Sequence, residues 1–236
     1  MDITIDNLII EVTRRCNMCC DHCIRGDAED MDMDLSIIDK LLDSEVNIQN
    51  VVFTGGEPTL NVEAIKYFAD RLEARHKNIS SFYVKTNGKI ESLDLMIALM
   101  RLYALCDFRE SCLFEISNDQ YHDGYEPELY KALAFYHHNE YKMYEDSQIF
   151  SEGHAYANGI GERLPESSGF EFNDLDDPDT IQLRMLQISA NGNVCGQCDI
   201  SFERADKETL GNMLTGDLRE IVSKEYYAQQ IQSQAA

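Results

Sequence analysis

Short apolar runs alternate along the first two-thirds of the chain with longer segments in which apolar residues recur at helical spacing. The short runs predict five β-strands, at residues 8–13, 50–56, 81–88, 112–117 and 147–150. The longer segments predict four α-helices, at residues 35–44, 62–75, 93–105 and 128–138. Asp34 and Asn61 precede the first two helices and are suited to cap them.

This alternation favours a parallel sheet with helices packed outside it, because parallel strands need long crossover connections. The number of strand–helix units falls short of the eight that close a full (β/α)8 barrel. We therefore predict an α/β fold, either an incomplete barrel or an open sheet. In both arrangements ligands bind at the carboxyl ends of the strands.

The last third of the chain has a different pattern. Residues 166–179 are acidic and predict a linker, so we expect one domain at residues 1–165 and a smaller one at 180–236. Asn191-Gly192 lies between two β-rich runs and predicts a hairpin. A final helix is expected at 217–227, followed by a polar tail that frays.

Composition narrows the function classes. The 236 residues include 43 acidic and 20 basic side chains, for a net charge of −23, which disfavours binding to nucleic acid or to anionic membranes. No apolar run predicts a transmembrane helix, and the acidic start of the chain does not resemble a signal peptide. We expect a cytoplasmic protein, in which the eight cysteines hold metal or do chemistry rather than form disulfides.

Four of these cysteines lie within eight residues, directly after the first predicted strand. Cys16, Cys20 and Cys23 can supply three thiolates to a four-iron cluster and leave one iron open to a small molecule. Alternatively, one Cys-x-x-Cys pair of this loop can combine with Cys195 and Cys198 in a four-cysteine zinc site.

The end of the second predicted strand favours the iron cluster. Gly55 and Gly56 let a ligand approach the backbone, the Glu57 carboxylate can accept hydrogen bonds from a ligand ammonium, and Pro58 stiffens the exit. Because this motif lies one strand–helix unit after the cysteine loop, both reach the same end of the sheet.

The cysteine loop and the Gly-Gly-Glu-Pro motif together resemble radical S-adenosylmethionine (SAM) enzymes, and the order of elements matches across about residues 8–161. The resemblance implies a partial (β/α)6 TIM-like barrel, extended by a small C-terminal β-hairpin and helix. It implies that Cys16, Cys20 and Cys23 bind three irons of a [4Fe-4S] cluster, whose fourth iron is chelated by SAM. Cys19 is surplus to the motif.

Further positions resemble the SAM-binding residues of this family. His22 fills the position near the adenine, and the motif at 55–58 matches the one that contacts the methionine amino group. Asn87 belongs to a Thr-Asn-Gly stretch, and Ser117 and Asp119 match polar positions for the ribose. His154 stands where arginine is common, and a neutral imidazole is no substitute for a guanidinium.

The C-terminal region resembles a shortened SPASM or twitch extension, which accompanies peptide-modifying radical SAM enzymes and usually holds auxiliary clusters. Only Cys195 and Cys198 are available here. They are candidates for a second metal or partial cluster, for a redox-active or hydrogen-donating pair with lowered pKa, for a structural remnant, or for substrate contact. Cys106 and Cys112 are expected to be buried as small hydrophobes.

The resemblance implies one-electron reduction of the cluster by a donor such as flavodoxin or ferredoxin, cleavage of SAM, and hydrogen abstraction by a 5′-deoxyadenosyl radical. Our leading hypothesis is a ribosomally made peptide substrate that is crosslinked or epimerised. The alternatives are a small molecule or a glycyl-radical partner, and a non-catalytic cysteine-metal protein. Tyr121 and His122 are expected to line the substrate mouth, and His137 and His138 to end a helix.

Overall fold

The computed structural model describes residues 2–122, 125, 127–138, 140–164, 169–173 and 179–235. Most of the predicted linker lies outside these residues. The described part is organised by one sheet with the strand order β5-β4-β3-β2-β1-β6-β7-β8. The strands are β1 (Asp2–Thr13), β2 (Asn47–Gly55), β3 (Ser81–Thr86), β4 (Leu113–Ile116), β5 (Tyr136–His138), β6 (Thr180–Ile188), β7 (Asn193–Cys195) and β8 (Gly211–Asn212).

Neighbouring strands from β5 to β6 are parallel, whereas β7 and β8 continue the sheet in antiparallel pairs. The central strand β1 aligns Ile10 with Phe53 on β2 and with Ile188 on β6. Apolar side chains at alternate positions of β1, such as Leu8 and Ile10, are buried in the core. The predicted α/β fold, an incomplete barrel built on a mostly parallel sheet, is confirmed.

The first three predicted helices are observed as α1 (Leu35–Asp43), α2 (Val62–Ala74) and α3 (Leu93–Ala104), and their apolar residues join the core. The predicted caps are present: the Asp34 carboxylate accepts a hydrogen bond from the Ser36 amide, at 2.8 Å. The remaining helices are α4 (Gly153–Ala157), α5 (Phe202–Lys207) and α6 (Leu218–Ala235). None of the described helices combines the length and the apolar content that spanning a membrane requires.

The predicted helix at 128–138 is wrong. A short 3-10 turn, Glu128–Ala132, is followed by β5, so His137 and His138 lie in a strand and do not end a helix. Aromatic packing overrides the local helical pattern: Phe135 meets the Phe82 ring edge-on with centroids 5.2 Å apart, and the Phe135 carbonyl accepts the Phe114 amide.

Two smaller expectations are also wrong. The predicted strand at 147–150 begins as the 3-10 turn Asp146–Gln148, and β5 is the fifth parallel strand instead. The final helix does not end at residue 227, because α6 continues to Ala235. Gln229 donates a hydrogen bond to the Phe170 carbonyl at 3.0 Å, which ties this part of the helix to the body of the protein.

The predicted hairpin is confirmed between β6 and β7, where Gly192 takes a positive φ of 85°. Its first strand, β6, lies parallel to β1 on the side opposite β2. The segment that begins at residue 180 therefore shares one sheet with the N-terminal strands, and it reaches the end of β1 from which the cysteine loop emerges.

Candidate active site

A cavity of 430 Å³ opens at the carboxyl ends of β1 to β4. Ten of the predicted site residues line it: Cys16, Cys20, His22, Cys23, Gly55, Gly56, Glu57, Asn87, Ser117 and Asp119. Pro58 does not line the cavity and begins the buried 3-10 turn Pro58–Leu60. Cys195 and Cys198 lie outside it, although their neighbour Asp199 is part of the wall.

The start of α4 holds the cysteine loop from behind. The His154 amide donates to the Cys23 carbonyl at 2.9 Å, and its ring Nδ1 lies 3.2 Å from the Cys20 carbonyl. The other ring nitrogen, Nε2, lies 2.9 Å from the Asp27 carboxylate, and this hydrogen bond raises the pKa of His154. His154 thus braces the loop and does not line the 430 Å³ cavity.

The three motif cysteines differ from Cys19, whose side chain is exposed. Cys16, Cys20 and Cys23 are half-buried, and burial raises the pKa of Cys20 to about 11, with the neighbouring thiols adding to the shift. A thiolate here needs a compensating positive charge, which bound iron supplies.

The three motif thiols do not form a compact site for a single ion. Within the described chain, the three sulfurs are not gathered within 4.8 Å of one another, and Cys195 and Cys198 do not join them in a compact group. A cubane holds its protein ligands farther apart than a lone zinc ion does. Three half-buried thiols around one cavity therefore suit a [4Fe-4S] cluster.

The two glycines at the end of β2 are required by the neighbouring strand. A Cβ on Gly55 would lie 2.3 Å from the Thr13 carbonyl oxygen, and one on Gly56 would lie 2.3 Å from the Arg15 carbonyl oxygen. Without side chains, the Gly56 amide donates to Thr13 at 2.9 Å. The glycines thus hold the main chain of this motif close to the start of the cysteine loop, against the cavity.

Glu57 is nearly inaccessible to solvent, and its carboxylate binds protein donors. Oε1 accepts hydrogen bonds from the Thr59 amide at 3.1 Å, the Thr59 hydroxyl at 2.7 Å and the Thr86 hydroxyl at 2.6 Å. Oε2 accepts the Asn87 amide at 2.9 Å. The carboxylate therefore joins the end of β2 to the end of β3.

The far wall of the cavity is polar. Asp119 is buried, and its Oδ1 accepts the Tyr121 amide at 2.9 Å and lies 2.7 Å from His122 Nδ1. Burial opposes ionisation of Asp119, but the hydrogen bonds from His122 and Tyr121 outweigh it and lower its pKa. The Ser117 amide donates to the Thr86 carbonyl, which places this residue beside the end of β3.

His22 packs against this wall. Its ring stacks on Tyr121 with centroids 3.9 Å apart and meets His122 edge-on at 5.5 Å. Burial lowers the pKa of His22, which favours the neutral imidazole. His122 lines the cavity as predicted. Tyr121 does not line the cavity, and instead its ring packs against the ring of His22.

Several lining residues were not predicted from the sequence. Lys85 lies one position before the Thr-Asn-Gly stretch, and its ammonium is 3.1 Å from the Glu115 carboxylate across the neighbouring strand. The available signal was its position at the carboxyl end of β3, next to Thr86, where ligands are expected to bind. Four more follow β5, in or just before the segment predicted as a strand: Tyr144, Gln148, Ile149 and Phe150.

Comparison with known proteins identifies a domain within the chain. Residues 10–108, which include the cysteine loop and the Gly-Gly-Glu-Pro motif, match the family model of the Radical SAM superfamily. Residues 10–108 form a radical SAM domain. The family implies a [4Fe-4S] cluster and SAM, and the cavity brings together the residues that match its motifs.

One sequence relative and two solved structures are also similar to this chain. The uncharacterised protein MJ0907 of Methanocaldococcus jannaschii is 31% identical over 106 residues, which are 39% of this chain and 37% of that protein. Streptococcus suis SuiB, solved with its precursor peptide SuiA, has a TM-score of 0.50 at 12% identity, over 91% of this chain and 64% of that one. Native anSMEcpe with bound AdoMet and Cp18Cys peptide has a TM-score of 0.51 at 13% identity, over 92% of this chain and 80% of that one. The two structures share the fold of this chain.

The radical SAM domain is joined to the C-terminal segment by buried polar contacts. Arg14, two residues before the first motif cysteine, binds the Asp206 carboxylate. Arg25 lies two residues after the last motif cysteine. Its side chain donates a hydrogen bond to the Ile200 carbonyl at 2.8 Å, and its backbone carbonyl accepts one from the Phe202 amide at 3.1 Å. Both ends of the cysteine loop are therefore held by residues 200–206.

Cys195 and Cys198 lie within this C-terminal segment. Cys195 is buried and its thiol donates to the Ala205 carbonyl at 3.4 Å. Burial raises the pKa of each thiol to about 12. The expectation that Cys-x-x-Cys spacing lowers the pKa of this pair is wrong, because desolvation of the thiolates dominates here.

Proposed function

We propose that this chain is a radical SAM enzyme that cleaves SAM reductively and abstracts a hydrogen atom from a peptide. One observation carries the proposal: three half-buried thiols, the backbone of the glycine motif and the polar residues Ser117 and Asp119 line the same cavity. When bound there, the cluster supplies an electron to SAM and the resulting 5′-deoxyadenosyl radical abstracts the hydrogen atom.

Each group in the cavity has a task that its surroundings support. Cys16, Cys20 and Cys23 would hold the cluster on a loop that His154 braces through two carbonyls. The main chain at 55–57 would contact the amino group of SAM, and it is held in place by the Glu57 carboxylate. Carboxylate and hydroxyl groups can bind a diol, so we assign Asp119 and Ser117 to the ribose.

His22, Asn87 and Pro58 complete the proposed SAM site. His22 presents a ring at the same wall as Asp119, as adenine recognition requires. Asn87 ties the β3 end to the cysteine loop, because its side-chain amide donates to the Asn17 side chain at 2.8 Å. Pro58 acts indirectly, by starting the turn whose Thr59 groups hold Glu57.

Three observations support a peptide substrate. SuiB was solved with a precursor peptide and anSMEcpe with a bound peptide, and both share this fold. The segment at 180–236, which we propose to be a shortened SPASM- or twitch-like extension of a core at 1–165, contributes Asp199 to the cavity wall. The net charge of −23 favours a cationic peptide, and we propose that the electron comes from a donor such as flavodoxin or ferredoxin.

The roles proposed for Cys195 and Cys198 are separate from cleavage of SAM. An auxiliary metal or partial cluster would require further ligands, because within the described residues no third cysteine, histidine or carboxylate forms a compact group with this pair. It would also have to displace protons from thiols with pKa values of about 12. We therefore assign the SAM chemistry to the cavity alone.

The proposal is tested by anaerobic incubation of the reconstituted protein with SAM, reductant and candidate peptides. We expect 5′-deoxyadenosine in amounts that rise with peptide, and a peptide whose mass changes by a crosslink or whose residue is epimerised. Cys20→Ala should abolish both. Production of 5′-deoxyadenosine only with a small molecule or a glycyl-radical partner would contradict the peptide assignment, and tightly bound zinc without iron would contradict the whole proposal.

A further inference from the structure

Two histidines and one carboxylate converge on the polar wall of the cavity. His22 lies in the cysteine loop, next to Cys23, whereas Asp119 and His122 belong to the loop after β4, about a hundred residues later. One donor atom from each of the three side chains lies within 4.8 Å of the donor atoms of the other two. Within the described residues, no other trio of histidine, cysteine and acidic side chains is this compact.

A second observation points to a ligand at this position. The Nδ1 atom of His22 is buried and has no hydrogen-bond partner within the described residues. Buried ring nitrogens are normally paired with a protein group or a bound ligand. The ring cannot easily turn away to find a partner, because it stacks face to face on Tyr121.

The other two groups are already oriented. His122 Nδ1 lies 2.7 Å from Asp119 Oδ1, and the same oxygen accepts the Tyr121 amide, so the carboxylate and the imidazole have fixed directions. An Oδ1–Nδ1 separation of this size is near the ~3 Å between neighbouring ligands of one metal ion, so both atoms can bind the same ion once the proton between them is lost.

Two imidazole nitrogens and one carboxylate oxygen form a donor set that divalent transition metals accept, with room for an exogenous ligand. We propose that His22, Asp119 and His122 bind a divalent transition metal ion such as Zn²⁺, and that this ion and SAM exclude each other. The exclusion rests on the proposed function, which assigns His22 to adenine and Asp119 to ribose. The binding of the ion does not.

Equilibrium dialysis of the anaerobic, cluster-loaded protein against Zn²⁺ tests the site. The cluster occupies the motif thiols, so zinc that binds while the iron content stays constant is bound elsewhere. We expect about one zinc per chain, weakened at least tenfold by His122→Ala or Asp119→Asn. His76→Asn is the matched control, since it removes an exposed imidazole at the end of α2 and should leave zinc binding unchanged.

A second measurement uses the wild-type protein alone, so that it does not depend on a variant that folds. The oxidised [4Fe-4S] cluster is diamagnetic, and the EPR spectrum of bound Co²⁺ should therefore show nitrogen coordination that excess SAM abolishes. Equal zinc affinity in the wild type and His122→Ala, or uptake that only replaces iron, would overturn the metal site. Zinc retained in saturating SAM would overturn the exclusion, whereas zinc binding without any cleavage of SAM would leave the site intact and refute the proposed function.

Discussion

The guanidinium of Arg14 binds the carboxylate of Asp206 through two hydrogen bonds, of 2.7 and 2.9 Å, across 192 residues of sequence. Arg14 is fully buried and also donates to Glu11 at 2.9 Å and to Glu29 at 3.0 Å. Its guanidinium carbon lies 4.8 Å from the centre of the Phe202 ring. Arg14 thus couples the entry of the cysteine loop to the C-terminal segment.

Replacing Arg14 should be strongly destabilising. Arg14→Met leaves the buried Glu11 carboxylate without its cation, so we expect the free energy of unfolding to fall by about 3–5 kcal/mol. Urea denaturation measures this change. The control is Arg184→Met, which removes an exposed ion pair with Glu171 and should cost less than about 1 kcal/mol. Similar losses in both variants would show that burial of Arg14 does not govern its contribution.

Acid should weaken the same contact. The hydrogen bond from Arg14 lowers the pKa of Asp206 below the unfolded value of about 3.9. The contribution is therefore present above that value and is lost as the pH falls through the lower pKa of the folded state. We expect urea midpoints of the wild type to decline more steeply below about pH 4 than those of Asp206→Asn. Parallel curves would contradict the assignment.

Glu57 should matter for stability before any ligand binds. Glu57→Gln replaces an acceptor oxygen by an amide group among four protein donors, and we expect a loss of about 2–3 kcal/mol. Thermal unfolding of the protein without SAM is the measurement. Glu63→Gln, an exposed change in the first turn of α2, should cost no more than about 0.5 kcal/mol. If Glu57→Gln were as stable as this control, the carboxylate would not be held by β3 as described.

The eight thiols should differ in reactivity. With pKa values of about 12, Cys195 and Cys198 have roughly a thousandfold less thiolate at pH 8 than a thiol with the ordinary value near 9. We therefore expect iodoacetamide to label the exposed Cys19 first in the cluster-loaded protein, as read by peptide mass spectrometry. Fast labelling of Cys198 would instead support a redox-active pair, provided that the metal content is unchanged.

The register of the cluster motif can be tested within the loop itself. Cys20→Ala should lose the iron cluster and the cleavage of SAM, because Cys20 lines the cavity beside Cys16 and Cys23. Cys19→Ala should keep both, since its exposed sulfur faces His154 at 3.9 Å on the other side of the loop. Iron analysis and 5′-deoxyadenosine assays distinguish the two, and an equal loss would mean that the register is wrong.

The sequence by itself determined the alternation from β1 to α3 and the residues that meet at the strand ends. These features depend on side-chain periodicity, on caps such as Asp34 and on the short spacing from Cys16 to Cys23, all of which are local. Parallel strands then bring consecutive strand ends to one edge, so the cysteine loop and Gly55–Glu57 meet without any further information.

Only the tertiary structure decided the rest. The segment around Phe135 became a strand because the β4 edge and a group of aromatic rings outweighed its helical pattern. Glu57 proved to hold β3, and Arg14 to hold Asp206, because each contact joins residues that are distant in the chain. Desolvation by such packing also raised the pKa of Cys195, which spacing alone had suggested would be lowered.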